Sequence, residues 1–170
     1  MVGNFTLGKE KFKLVEKEIQ EILTELSSFT RKLSDLIQED ISIYENFSRV
    51  SSLPKASPED KKIRDRAMQD ALKKAAEVPL KVAERCLELL KIASQLLKIG
   101  NPRLISDVGV GAILAEAALK SAALNVEINL SYIKDEDFIK RKKKDLLSFS
   151  NKGKNLATEI VRKVQEKIVT

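Results

Sequence analysis

A seven-residue apolar repeat runs through the first third of the chain and confines it to helical folds. Counting by sevens gives Phe12, Ile19, Leu26, Leu33, Asp40 and Phe47, and the companion series gives Val15, Ile22, Phe29, Leu36, Ile43 and Val50. Eleven of these twelve positions are apolar and one is a carboxylate. A spacing of about 3.5 residues keeps one seam of a helix against a partner helix at a shallow crossing angle. A strand alternates its side chains every second residue and presents no such seam. The segment from about Lys9 to Ser51 therefore reads as one long helix with another running beside it. The question is why that seam accepts Asp40.

The rest of the chain is punctuated for helices too. The stretch before Gly8 is a short apolar stub. In "SSLPKASPED", Ser57 is a good N-cap, Pro58 suits the first helical position, and Glu59 and Asp60 complement the helix dipole. That helix is expected to reach Ile99 with Gly100 as its C-cap, and Pro79 inside it removes a backbone bond and should kink it. A fourth helix follows "NPRLISD" and ends near Leu130. Its Gly109, Gly111, Ala112, Ala115, Ala118 and Ala122 make a face that another backbone can approach closely. The fifth starts near Asp135 as N-cap and continues to the C-terminus. The expectation is an all-α antiparallel bundle of long helices, about five helical segments, in a single domain spanning residues 1–170.

Absent residue types narrow the chemistry. Without histidine there is no imidazole base, no Ser-His-Asp triad and no imidazole metal site, and the lone Cys86 makes neither a disulfide nor a zinc site. Cys86 falls in a helical apolar pattern and reads as a buried spectator. No metal centre is expected, and acid–base work falls to Asp, Glu, Lys or Tyr. The net charge of +6 suits an anionic ligand or a nucleic acid and does not choose between them. The "KRKKKD" run from Lys140 to Asp145 has few aromatics near it, so it reads as a solvated helix face and nucleic acid is not expected. The N-terminus has no signal-peptide h-region and the apolar run from Val108 to Ala115 is too short to span a bilayer. A cytoplasmic setting without membrane contact is the expectation.

Two regions can carry chemistry. A polar residue in a heptad seam can fix register. A carboxylate held among Leu33, Leu36 and Phe47 would also be desolvated, which raises its pKa and makes it a proton carrier near neutral pH. Further on, Asn125 and Asn129 are one turn apart beside Ala118 and Ala122. Such an amide pair can cap a neighbouring backbone or hydrogen-bond a flat heterocycle.

The stretch "NPRLISDVGVGAILAEAALKSAALNVEINL" resembles the signature of the cyclodeaminase/cyclohydrolase family, best known as the C-terminal domain of formimidoyltransferase-cyclodeaminase. "MVGNFTLGK", "QEDISIYENF" and "SLPKASPEDKKIRDRAMQDALKKAAEVPL" agree with it in order, so the likeness covers residues 1–132, and the last helix matches only as a charged tail. The resemblance implies a dimeric, all-α enzyme acting on tetrahydrofolate derivatives, with no cofactor besides that substrate. It implies formimidoyltetrahydrofolate cyclodeaminase activity, with methenyltetrahydrofolate cyclohydrolase as the alternative and a non-catalytic helical dimer as the rival of another class.

Residue by residue, Asp40 matches the family's catalytic aspartate and Tyr44 its aromatic place. On this reading Lys9, Lys11 or Lys55 holds the anionic glutamate tail, Asp107 accepts from the pterin amino group or caps its helix, and Asn125 and Asn129 face the ring. The family carries a glycine-rich "PGGG" stretch ahead of the position of Met1. That glycine-rich start of helix one is missing from this chain, so helix one is expected to begin upstream and the pocket to lose a wall.

Overall fold

The repeat forms a helix, α2, over Glu16–Ser51, entered through a 3-10 turn at Glu10–Val15. The expected start at Lys9 is therefore more tightly wound, and Lys9 is the extended residue ahead of it. Gly8, at φ +71°, reverses the chain between that turn and the short α1, Val2–Thr6. A left-handed residue is cheap only without a Cβ, so the turn needs its glycine. α3 covers Pro58–Ile99, α4 Ile105–Ser131 and α5 Glu136–Val169. The computed structural model describes residues 1–169, and no strand occurs among them.

The caps set the boundaries. Ser57 Oγ accepts from the Asp60 N–H at 3.0 Å, and Asp60 Oδ2 accepts from the Ser57 N–H at 3.1 Å. These two bonds satisfy two donors that a helix start leaves free. Asp135 Oδ1 accepts from the Phe138 N–H at 3.0 Å, while its Oδ2 meets Lys73 Nζ at 2.7 Å. Gly100 caps α3 as expected, in an extended conformation (φ −72°, ψ 167°), with its N–H on the Leu96 carbonyl at 2.8 Å.

The hydrogen bond from Lys73, then that from the Phe138 N–H, holds the Asp135 carboxyl below its ordinary 3.8. A depressed folded pKa stabilises the fold above the unfolded value, and the contribution is lost as pH falls through the folded one. Asp135→Asn should therefore lower the melting temperature at neutral pH. The gap from wild type should close as pH falls through the folded pKa, below which both forms carry an uncharged side chain. Thermal melts across that range check it, and a gap that persists at low pH would overturn it.

α3 is the central helix, touching α2, α4 and α5. One core cluster joins Ile19 and Ile22 to Leu90, Leu96, Ala112 and Ile160; the other joins Leu80 and Ala83 to Leu119, Val126, Phe138 and Leu146. Leu156 packs against both. The small residues of α4 divide as its period dictates. Gly109, Ala112, Ala115 and Ala122 are buried in the bundle, whereas Gly111 and Ala118 face out. α1 is tied down by a buried pair: the Asn101 N–H donates to Thr6 Oγ1 at 2.9 Å, and Thr6 Oγ1 donates to the Val2 carbonyl at 2.8 Å.

Candidate functional site

Asp40 is exposed, which corrects the expectation of a carboxylate desolvated inside the seam. The physical reason lies in how far α1 reaches. Ile19, Leu23 and Leu26 on the first edge of α2 share the core cluster with Val2 of α1. Beyond α1 that edge has no cover, so Leu33 and Phe47 are half-buried and Asp40 is open. On the opposite edge Glu39 takes the place nearer α3 and pairs with Lys81 Nζ at 2.7 Å. The companion series through Leu36, Ile43 and Val50 remains against the bundle. The seam thus accepts Asp40 because its edge there borders open space.

That open edge belongs to a trough. At its α1 end is a cleft of about 390 Å³, lined by Leu23 and Leu26 from α2, Ala93 and Leu96 from α3, and Asp107 and Leu114 from α4. Successive turns of each helix carry the same faces onward. The same spacing carries the α2 face through Leu33, Ile37, Asp40 and Tyr44 and the α4 face through Ala118, Ser121, Asn125 and Asn129, while Val78 of α3 at that level is buried. Glu39 pairs with Lys81 and Asn129 bonds to Ala75, which sets the heights along α3. Asp40 and Asn125 therefore lie at about the same height along α3, near Pro79 to Lys81. Tyr44 is 71% exposed, so its ring is free to cover a ligand.

Asn129 is committed elsewhere. Its Nδ2 donates to the Ala75 carbonyl at 3.1 Å and to the Asn125 carbonyl at 2.8 Å. Ala75 stands four residues before Pro79, which has no N–H to satisfy that carbonyl. α3 continues through Pro79 as one helix, and α4 supplies the missing donor. Of the two readings of the amide pair, backbone capping describes Asn129, while Asn125 keeps an exposed amide. Asn129→Ala should cost about 1–2 kcal/mol by stranding a carbonyl. In a Pro79→Ala background, where the backbone N–H returns, the cost should shrink toward zero. Equal costs in both backgrounds, measured by denaturant unfolding, would contradict this account.

Asp107 does not cap α4. The N-cap is Leu104, without a side-chain bond, and Asp107 is the third residue of the helix, half-buried in the cleft. It lies 18 residues from Asn125, about 27 Å along the axis, so within one chain it is out of reach of a ring held at Asp40. Lys9 belongs to the same far end as Asp107. Lys55, in the turn between α2 and α3, lies beyond the Asp40 end. With 36 residues of α2 between them, about 54 Å, the two lysines cannot serve one glutamate tail. Cys86 is buried and burial pushes its thiol pKa up, as suits a spectator. Among the described residues no group of three His, Cys, Asp or Glu side chains gathers to hold a metal ion, and no helix is long and apolar enough to cross a membrane.

These faces bring a carboxylate with a phenol one turn away on α2, and an amide on α4, to about the same height along α3. The sequence pattern of the formiminotransferase-cyclodeaminase family matches residues 1–148. The chain is 33% identical over 168 residues to the methenyltetrahydrofolate cyclohydrolase of Methylorubrum extorquens, covering 99% of this chain and 81% of that one. It is 29% identical over 165 residues to the formimidoyltransferase-cyclodeaminase of Sus scrofa, covering 97% of this chain but spanning only 30% of the pig protein. The crystal structure of formiminotetrahydrofolate cyclodeaminase from Thermotoga maritima superposes with a TM-score of 0.86 at 28% identity, covering 99% of this chain and 80% of that one. The chain belongs to the formiminotransferase-cyclodeaminase family.

Proposed function

We propose that the chain is a folate one-carbon enzyme that converts 5-formimidoyltetrahydrofolate to 5,10-methenyltetrahydrofolate and ammonia. The observation that carries it is the family match over residues 1–148, which runs through Asp40 and Asn125. Cyclisation forms the N10–carbon bond and breaks the carbon–nitrogen bond to the departing amine. N10 gives up a proton, and the leaving nitrogen takes one to depart as ammonia. One carboxyl group can accept the first and return it to the second. Asp40 is open to water in the free chain. A folate lying over this face shields the carboxylate from that water.

A second reading is favoured by the 33% identity to a stand-alone cyclohydrolase of which the chain covers 81%. There Asp40 takes a proton from water as its oxygen adds to the methenyl carbon, and cleavage of the N5–carbon bond leaves 10-formyltetrahydrofolate. Both readings carry a homodimer, a cytoplasmic setting and no cofactor besides the folate. Incubation with each substrate separates them. Ammonia released with rising methenyl absorbance marks the deaminase, and methenyl absorbance lost faster than in buffer marks the hydrolase. Neither signal, together with no calorimetric binding of folinic acid at millimolar concentration, would leave a non-catalytic helical dimer.

A further inference from the structure

α4 and α5 part beside the turn that joins them, and a cleft of about 780 Å³ opens there, twice the volume of the one at the α1 end. Only α4, the turn and α5 line it, so it is separate from the trough that carries Asp40. Leu130, Ile133 and Leu146 form a buried floor together with the half-buried Ile139. Leu147 stands exposed at the edge. The turn at its end is braced from α3. Gln69 Nε2 donates to the Tyr132 carbonyl at 3.1 Å, and the Lys134 N–H donates to Gln69 Oε1 at 2.7 Å. Lys73 holds Asp135 one residue further on. The end wall is thus preformed, as in clefts that take small molecules, and the volume falls within the ~300–1,000 Å³ usual for them.

Charge and shape select the occupant. The basic run from Lys140 to Lys144 is not solvated throughout. Lys142 turns inward to Glu77 at 3.1 Å and lies over the Phe138 ring, 5.2 Å from its centroid. Lys143 lines the cleft and enters no ion pair among the described residues. Its neighbours one turn away on either side, Ile139 and Leu147, cannot neutralise it, and Lys140 and Lys144 are exposed beside it. The one carboxylate in the lining is Glu127 of α4. Gly153 opposes Leu119 and Val164 opposes Gly109, and the same antiparallel register brings Glu127 level with Leu146, past Lys143. Three cations around one end of an apolar floor, against a single carboxylate, favour an anionic head. The α5 side of the lining runs from Ile139 to Ser150, about 16 Å, which suits an extended chain better than a compact ring.

We infer that this cleft binds an amphiphile with an unbranched hydrocarbon chain and a carboxylate head, the chain on the floor from Leu130 to Leu146 and the head on Lys143. The cleft at the α1 end is apolar too, but Asp107 lines it and no lysine or arginine side chain does, so it disfavours the same head. The inference does not rest on the folate reading.

Calorimetric titration of the full chain with dodecanoate tests it, and saturable binding of one molecule per chain is expected. Burying one CH₂ completely tightens binding about fourfold, and a cleft open on one side realises about half of that free energy. Dodecanoate should therefore bind about fourfold more tightly than decanoate, and decylamine, with the opposite head charge, should not bind. Lys143→Gln should weaken dodecanoate about three- to fivefold, and Glu127→Gln should strengthen it about twofold. Ser131→Trp fills the cleft and should abolish binding. Ser131 is exposed and its hydroxyl bonds only to the Ile128 carbonyl of its own helix, so the helical circular-dichroism signal should persist. Should that variant not fold, the opposite signs at Lys143 and Glu127 still decide. No saturable binding of dodecanoate, equal binding of decylamine, or an affinity that ignores both charge changes would overturn the inference. Co-sedimentation with phosphatidylserine vesicles that is lost in Lys143→Gln, without binding of the free acid, would assign this face to a membrane surface instead.

Discussion

Asp40→Asn is expected to lower turnover by about 10²–10⁴-fold while leaving folinic acid binding nearly unchanged. The substitution keeps the shape of the side chain and removes its capacity to take and return a proton. Asp40 is exposed, and the pairing of α2 with α3 at its level runs through Leu36, Glu39 and Ile43 instead. The fold should therefore not register the change, and stability should stay within about 0.5 kcal/mol. The neighbouring carboxylate is the control. Glu39→Gln breaks a partly exposed ion pair with Lys81, costs no more than about 1 kcal/mol, and should leave turnover close to wild type. If Asp40→Asn stayed active and Glu39→Gln did not, the proton carrier would be on the wrong residue and the trough would be the wrong surface.

The helices were legible in the sequence because their ends are local. Ser57 caps through Asp60 and Asp135 through Phe138, each a few residues on, and Gly8 needs only its own φ. The periodicity of α2 likewise predicted a long helix against a neighbour. It could not say where that neighbour stops. Heptad counting treats the two edges of the seam as equally covered, but α1 shields only the first turns of one of them, and that difference turns Asp40 from a buried residue into an open one. For Asn129 the sequence left backbone capping and ligand contact both open, for a similar reason. Its partner is a carbonyl 54 residues away, orphaned by Pro79, and only the packing of α4 on α3 brings the two together. The pairing of Glu39 with Lys81 over 42 residues is equally silent in the sequence. The site's residue types were visible in the sequence, but their grouping depends on the heights at which helices lie side by side.

Leu119→Ala should be the most destabilising single change in the fold, at about 4–5 kcal/mol, the upper part of the range for a buried leucine. Leu119 is 1% exposed and lies over Gly153 of α5, where a Cβ would come within 2.6 Å of Leu119 Cδ1 and 3.4 Å of Leu90 Cδ1. The leucine thus occupies the hole left by the missing side chain of Gly153. Removing it leaves a cavity with no neighbouring side chain on α5 to collapse into it. Gly153→Ala alone should destabilise by about 1–2 kcal/mol, since overpacking outweighs the ~1 kcal/mol that alanine gains over glycine in a helix. Together the two changes should invert that sign. In the Leu119→Ala background the new methyl fills part of the cavity and keeps its helix propensity, so Gly153→Ala should raise stability there by about 1–2 kcal/mol. Leu119 points into the bundle, away from the trough, so the surviving folded fraction should turn over substrate at the wild-type rate. Urea unfolding of the four proteins gives the cycle. Should Gly153→Ala destabilise both backgrounds equally, the close approach of α5 to α4 would not depend on this pair.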